Sequence, residues 1–429
     1  MIWLFACYGP GDYSAGPEVF DEPLAEHEGD DWLFTAERIN RIDLEVDEDA
    51  QEILRAQRRM SYPRDKVRVE AWVDDEELGE IGLRMRGGLG SFTRFDEKPK
   101  WELDFNEYSG ERFHGLESLS LNNMVSDCSS IRETVAAAAY TVAGVPSSRT
   151  GYAQLFVNGQ DYGLYTVIET QDDRWLKDHF ATNDGTFYDG KYQYKGGVVP
   201  YMVDFGLGRD HWFDLEEGEE GDRAEIGAIS AAVEDSLESG RMDPALWELV
   251  DWEQVLRLTR AEQFTGDDDG IAGLPNNYRV YFQPGLPMAM SRWDLDGSLR
   301  LSEGQVAFNA AGWEEPGSRL LQVCFADEDC LAIWDELGPE VEEALLDGRL
   351  HELATQASTL TEEAAVQDPR RECGPRLQDQ REAILDYLLT GEEAEVDWEE
   401  EDCSHSGRGG LLATVSVLAG LLMLRARSG

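Results

Sequence analysis

Two stretches carry the residue types that chemistry needs. GDDDGIAGLPNNYRVYF, Gly266 to Phe282, sets three successive aspartates ahead of a paired asparagine, and SRWDLDGSLR, Ser291 to Arg300, places Asp294 and Asp296 one residue apart behind a tryptophan. NNYRVYFQP and MAMSRWDLD read as two strands. If these strands pair as a hairpin, Asn277 and Asp294 come to the same end, beside the Asp267–Asp269 loop. Two carboxylates and an amide oxygen converging there make a hard-oxygen site suited to Mg²⁺ or Mn²⁺, with water or phosphate oxygens as the remaining ligands. A carboxylate left off the metal serves as base or orients a hydroxyl. The bland reading is that these are more acids in a very acidic chain, and on spacing alone it outweighs the sharp one.

The composition narrows the field. Against 88 acidic residues stand 37 basic ones, a net charge of −51 over 429 residues. No basic stripe survives that balance, so nucleic-acid binding by phosphate neutralisation is excluded. Blocks such as DLEEGEEGD and EEAEVDWEEEDCS read as solvated surface suited to saline or calcium-rich surroundings. Apolar content of 41% with 12 Trp excludes wholesale disorder and leaves ample core for one large domain or two smaller ones. Six cysteines do not make a disulfide framework in so long a chain. Cys324 and Cys330 are close enough for a local bridge in an oxidising compartment, Cys128 reads as a packed thiol, and Cys7 and Cys403 lie in the tails. The histidines show no metal-binding spacing, so His114 and His179 read as structural. Ser/His/Asp catalysis has no support, as G-x-S-x-G is missing.

The elements that must position the acids follow from periodicity. Residues 8 to 30 are a Gly-, Pro- and acid-rich linker. WLFTAERINRIDLEV predicts a first strand, DEDAQEILRA a short helix, and VRVEAWV, IGLRMRGG, KWELDFNEY and SLSLNN further strands. SSIRETVAAAAYTVAG predicts a helix, with Ser129-Ser130 at its start, Glu133 in the first turn and Gly144 past its end. YAQLFVNGQDYGLYTVIE predicts a hairpin turning at Asn158-Gly159. DDRWLKDHF, AEIGAISAAVEDSLESG and DWEQVLRLTRAEQFTG predict helices, with residues 185 to 223 rich in loops. After the acidic hairpin the chain is helical to about Asp397. A sheet-rich first half and a helix-rich second half make an α+β protein of two lobes.

An ordered set of matches adds what spacing does not. Arg84-Met85-Arg86-Gly87, Lys98 through Phe105, Leu121-Asn122-Asn123, Asp127, Ile131-Arg132-Glu133 and Gly144-Val145-Pro146 come first. Val157-Asn158-Gly159, Gly163-Leu164-Tyr165, Glu169, Asp269, Asn277-Tyr278, Tyr281 and Trp293-Asp294-Leu295-Asp296 follow. In this order, over about residues 32 to 310, the chain resembles the CotH family, the spore-coat-protein-H-like kinases. The resemblance implies an atypical protein-kinase-like fold and phosphoryl transfer from ATP, with Mg²⁺ or Mn²⁺, to Ser or Thr of secreted or surface proteins. It places Asp294 as the metal-holding aspartate, Asn277 as a second ligand, and Asp269 or its neighbour Asp268 in the catalytic-loop position. Asp296 is a further ligand or a loop residue. Lys98 is the candidate phosphate-contacting lysine, with Glu133 as its ion-pair partner. Arg86 stands where relatives often carry Lys and is able to contact phosphate. Glu169-Thr170 falls where a hinge to the adenine would lie. A G-x-G-x-x-G loop is missing; Arg86-Gly87-Gly88-Leu89-Gly90 is the nearest.

Without the resemblance, several of these residues have ordinary roles. Lys98 reads equally as an edge-strand lysine, Glu133 as a charge complementing a helix N-terminus, Asn122, Asn123 and Asp127 as loop closure and cap, and Trp293 as core. Both ends carry targeting signals. MIWLFAC reads as the last part of an apolar export signal ending at Cys7, in the manner of a lipoprotein. Leu411 to Leu424, fourteen apolar or small residues followed by Arg425 and Arg427, resembles a bacterial surface-sorting tail. It is shorter than the roughly 20 residues a spanning helix needs. The expected organisation is a truncated signal and acidic linker (1–30), a sheet-rich lobe (31–170), a helical lobe with the catalytic hairpin (171–397) and a sorting or anchoring tail (398–429). The protein is then exported to the cell surface or outer membrane, or secreted. The alternative is a non-catalytic surface protein that kept the fold and binds metal or an adhesion partner. A metal-dependent hydrolase would want a His or further carboxylates in the cluster.

Overall fold

The computed structural model describes residues 29–59, 64–88, 90–193, 201–219, 221, 223–301 and 316–391. Cys7, Cys403 and the Leu411–Leu424 segment lie outside the described residues, as does Leu89.

The first half is a closed barrel of seven strands: β1 (Ile39–Glu45), β2 (Val67–Val73), β3 (Glu76–Arg86), β4 (Lys100–Asp104), β5 (Ser118–Asn122), β6 (Thr150–Val157) and β7 (Gln160–Glu169). The order around it is β1-β2-β3-β4-β5-β7-β6, and a parallel pairing of β1 with β6 closes the ring. The VRVEAWV alternation is realised residue by residue in β2, whose valines and Ala71 are buried while Arg68 and Glu70 face out. The inward residues, Ile42, Val69, Leu83, Leu103, Leu121, Leu155 and Val167 among them, form one core. Asn158 and Gly159 both take positive φ at the β6–β7 turn, as a two-residue hairpin demands.

The helix predicted from SSIRETVAAAAYTVAG is α3 (Arg132–Val142), after α1 (Glu48–Ala56) and the short α2 (Asn106–Ser109). Its cap is the Asp127 carboxylate, which accepts from the backbone of Ser130 and Arg132 at 3.1 Å each. Unlike a surface helix, α3 is buried nearly all round, and its alanine run lets neighbours approach on every side. It lies in the larger core with α7 (Trp252–Thr265) and the C-terminal helices α9 (Glu328–Leu345) and α10 (Arg349–Val366).

The loop-rich span of residues 185 to 223 supplies more order than its sequence suggests. It contributes β8 (Thr186–Asp189) and β9 (Asp214–Glu217), which join β10 (Tyr278–Phe282) and β11 (Ala289–Arg292) in a sheet of order β11-β10-β8-β9. Helix α4 (Asp173–His179) precedes them, and α5 (Ala224–Ser239) and α6 (Leu246–Leu249) lie between β9 and β10; α8 (Arg319–Phe325) and α11 (Arg376–Thr390) complete the helical half. The fold is thus α+β, sheet-rich first and helix-rich after, and the described residues form one compact unit. Among the described residues, two disulfides are present. Cys324–Cys330 is the local bridge the spacing allowed, whereas Cys128 is not a packed thiol: it is bonded to Cys373, 245 residues away.

Candidate functional site

The acidic hairpin forms as its sequence predicts. Strands β10 and β11 pair antiparallel with Tyr278 opposite Arg292, and the Trp293 N–H donates to the Asn277 carbonyl at 3.2 Å. Asn277 and Asp294 therefore share one end, and both take left-handed backbone, at φ 49° and 56°. Non-glycine residues adopt that conformation where surrounding contacts hold them.

The aspartate loop reaches the same place from the end of α7. Asp269 accepts from Asn276 Nδ2 at 3.0 Å and from Asn277 Nδ2 at 2.9 Å. Burial, with Asp267 and Asp294 nearby, pushes its carboxyl up to about 7, against the pull of the Asn276 hydrogen bond and Arg292. Asp268, its neighbour, is tuned by burial and by the Arg300 charge. Of the two, Asp269 is the one joined to both asparagines. The loop is held from beneath by Arg292 of β11. This fully buried guanidinium meets Asp267, Glu262 (3.0 Å) and the carbonyls of Asn276 (3.2 Å) and Asn277. Glu262 in turn accepts from the Ile271 and Ala272 amides at 2.9 and 3.0 Å. Gly270 is needed here, since a Cβ would come within 2.1 Å of a Glu262 carboxylate oxygen.

The amine that faces Asp294 belongs to Lys100, the first residue of β4. Its Nζ donates to Asp294 at 2.7 Å and to Asp296 at 2.8 Å. Burial alone would lower that ammonium, but Asp294, Asp296 and Glu133 hold it well above its usual range. Glu133, on α3, accepts from Asn122 Nδ2 at 2.7 Å and from the Leu295 amide at 3.1 Å. Burial and the charge on Asp296 push its carboxyl up to about 8, while Lys100 opposes them. Asn122 also reaches Asp296 at 3.3 Å. For Asp296, burial works against the charge, but Lys100 and Asn122 prevail and keep the carboxyl below its ordinary value.

This corrects the lysine expected from sequence. Lys98 is buried and donates to the Leu164 carbonyl at 2.8 Å and to Asp368, with neither Glu133 nor Asp294 among its partners. Pro99 explains the difference. Its ring removes a ladder donor, β4 starts after it, and the alternation that would put Lys98 and Lys100 on one face never begins. Glu169 is likewise committed elsewhere: Arg149 binds its side chain at 2.6 Å together with Asp30 at 3.0 Å. Arg86 lies at the edge of the site, bonded to Glu102 at 3.1 Å and over the Trp293 ring at 5.8 Å. Trp293 is only half-buried, so it is not core; its Nε1 donates to Asp189 at 3.2 Å. Sequence reasoning missed Lys100 and Asn122 as site residues, although both lie inside the matched motifs.

The donor set suits a small divalent cation. Asp294 keeps about a third of its side-chain surface open, and Asn277, having given its amide nitrogen to Asp269, retains its oxygen as an acceptor. Among the described residues, Glu117, Asp172 and Asp173 are the carboxylates that bring three oxygens within 4.8 Å of one another. That group is crossed by Arg112, which bonds Glu117 and Asp173, and it has no link to Asp294.

The family model of the CotH kinase protein matches residues 83–390, well over half of the chain. The chain belongs to the CotH family. With that family comes the kinase-like fold, and the match spans every residue gathered around Asp294. No curated protein matches in sequence. Among solved structures, a chain of the Shewanella oneidensis MR-1 toxin–antitoxin complex of HipA, HipB and operator DNA is similar at 14% identity and a TM-score of 0.28. That similarity covers 71% of this chain and 65% of that one, under two thirds of its length.

Proposed function

We propose that this CotH-family chain is an exported, surface-anchored protein kinase that transfers the γ-phosphoryl group of ATP to Ser or Thr of secreted or surface proteins. One observation carries the reading: a buried lysine, Lys100, bridges Asp294 and Asp296 in front of Glu133, with Asp269 and Asn277 at the same strand ends. Phosphoryl transfer asks the protein mainly for positioning and charge, and this set supplies both.

Asp294 and Asn277 would hold Mg²⁺ or Mn²⁺, with Asp296 as a further oxygen available to it. The bound cation neutralises charge on the phosphates. Lys100 places and neutralises phosphate oxygens, and the nearby Glu133 acts on its ammonium through charge while Asp294 and Asp296 bond it. Asp269, neutralised little by its surroundings and raised to about 7, accepts the proton of the acceptor hydroxyl. Asn276 and Asn277 aim that carboxylate. Arg86 adds a permanent positive charge at the rim.

Two disulfides among the described residues support an oxidising compartment. The anchoring role of the C-terminal tail rests on its sequence. Calorimetric titration of ATP with and without Mn²⁺, followed by a transfer assay on a broad panel of Ser-rich secreted acceptors, tests the proposal. Metal-dependent ATP binding and transfer are expected. A protein that binds metal but neither ATP nor any acceptor would instead be the non-catalytic surface protein.

A further inference from the structure

The segment Asp368–Cys373, between α10 and α11, makes contacts out of proportion to its length. Arg371 donates to the carbonyls of Met124 (3.0 Å) and Asp127 (2.6 Å) and to Ser130 Oγ (2.6 Å). Cys373 is bonded to Cys128 in the same loop. From α11, Gln380 accepts from the Ser129 amide at 3.0 Å and Arg381 donates to the Ser129 carbonyl at 2.8 Å. Every one of these contacts falls on residues 124–130, the entry to α3. Met124 and Ser130 in that entry both take positive φ, so the loop is held in a conformation its residues do not choose alone. At its other end the segment grips the barrel. Asp368 takes the Lys98 amine and the Leu164 amide (3.1 Å), and Arg370 donates to the Asp96 and Glu97 carbonyls at 2.6 and 2.7 Å.

Glu133 lies three residues beyond Ser130, in the first turn of α3, and Lys100 lies two beyond Lys98. We infer that Asp368–Cys373, locked by Cys128–Cys373, is a positioning strap that fixes α3 in the register where Glu133 faces Lys100. The inference rests on the kinase reading of that pair and adds a requirement: transfer depends on a contact that touches neither nucleotide nor acceptor. The physical reason is leverage. A helix entry closed by a covalent bond and three arginine hydrogen bonds has no second arrangement within reach, so α3 does not swing away from the strand that carries Lys100. Reduction by a dithiol gives two cysteine thiols and leaves the reductant as its own disulfide. It removes the covalent half of the strap and leaves the Arg371 half.

The test uses the full chain with Cys7, Cys324, Cys330 and Cys403 replaced by Ser, so that Cys128 and Cys373 are the cysteines that remain. In this background, transfer kinetics and hydrogen–deuterium exchange are measured with and without dithiothreitol, and again for Arg371→Ala and Arg371→Lys. The strap predicts a kcat at least tenfold lower after reduction and in Arg371→Ala, with KM for ATP within about threefold. It also predicts faster exchange in residues 131–140 and 294–297 while β1 and β2 stay protected. Arg371→Lys, which keeps the charge but not the fork, recovers part of the rate. Unchanged kcat and unchanged exchange at α3 in both the reduced protein and Arg371→Ala would overturn the strap and leave the kinase reading standing. If the parent transfers no phosphate at all, the kinase reading fails, and exchange at α3 alone still decides whether the strap holds the helix.

Discussion

Replacing Lys100 by Met separates the lysine found in the site from the one expected there. The methionine fills a similar volume but removes an ammonium that bonds Asp294 at 2.7 Å and Asp296 at 2.8 Å. Asp294 has solvent to fall back on; Asp296 is largely buried and would keep only the Asn122 amide and the Arg300 charge against it. Losing one partner of a buried charge pair costs on the order of 3–5 kcal/mol. Removing a preorganised charge from a phosphoryl-transfer site lowers turnover by roughly 10²–10³-fold. Lys100→Met is therefore expected to lose about that much kcat/KM in a transfer assay with labelled ATP. Lys98→Met breaks the buried pair with Asp368 and should lower thermal stability by a similar energy, with turnover of the folded fraction reduced less than tenfold. If Lys98→Met abolished transfer in folded protein while Lys100→Met kept wild-type rates, the assignment of the phosphate lysine would be refuted.

Three further outcomes follow from the same geometry. Arg149→Ala removes the ion-pair partner of the buried Glu169 carboxylate and leaves Asp30 with Arg174, and should destabilise by about 3–5 kcal/mol in urea unfolding; an unchanged transfer rate per folded molecule would show that Glu169 serves the fold, and a selective rise in KM for ATP would restore it to the nucleotide site. Asp172 caps α4, and burial, with Asp173, Glu117 and Glu169 adding to it, raises its carboxyl to about 6. A raised carboxyl favours the folded state at low pH, and that contribution fades as pH climbs from about 4 to about 6, by about 3 kcal/mol at 1.4 kcal/mol per pH unit. Asp172→Asn keeps the capping oxygen, so its urea midpoint should exceed that of wild type at pH 8 but not at pH 4; parallel pH profiles would contradict this. Asn122→Leu removes the amide between Glu133 and Asp296, and should cut transfer at least tenfold with little change in ATP affinity; wild-type kcat would remove Asn122 from the positioning set.

Local signals in the sequence were legible where a short segment decides the outcome. VRVEAWV, the Asn158-Gly159 turn, the alanine-rich helix and the acidic hairpin all form where periodicity and turn chemistry place them. The convergence of Asn277 and Asp294 needed only the pairing of two adjacent strands. What escaped depends on partners far along the chain. The parallel β1–β6 closure and the Cys128–Cys373 bond join residues that no local pattern links. Strands β8 and β9 are four residues each, and their stabilising contacts come from β10 and each other rather than from their own composition. The two lysines of KPKW differ only in which side of Pro99 they occupy, and strand parity across a proline is not readable without the strand's start. Glu169 sat at a plausible hinge, and only the tertiary position of Arg149 and Asp30 shows its side chain engaged.

In the proposed function, the acids around Asp294 form a metal-dependent phosphoryl-transfer site. Its most direct test is incubation of wild type and Asp294→Ala with γ-labelled ATP and Mn²⁺, with and without a Ser-rich acceptor. Label is expected on the wild-type protein or the acceptor, dependent on the cation, and none above background with Asp294→Ala at matched folded concentration. Equal labelling by the two proteins, or labelling by wild type that persists when the cation is chelated, would contradict it.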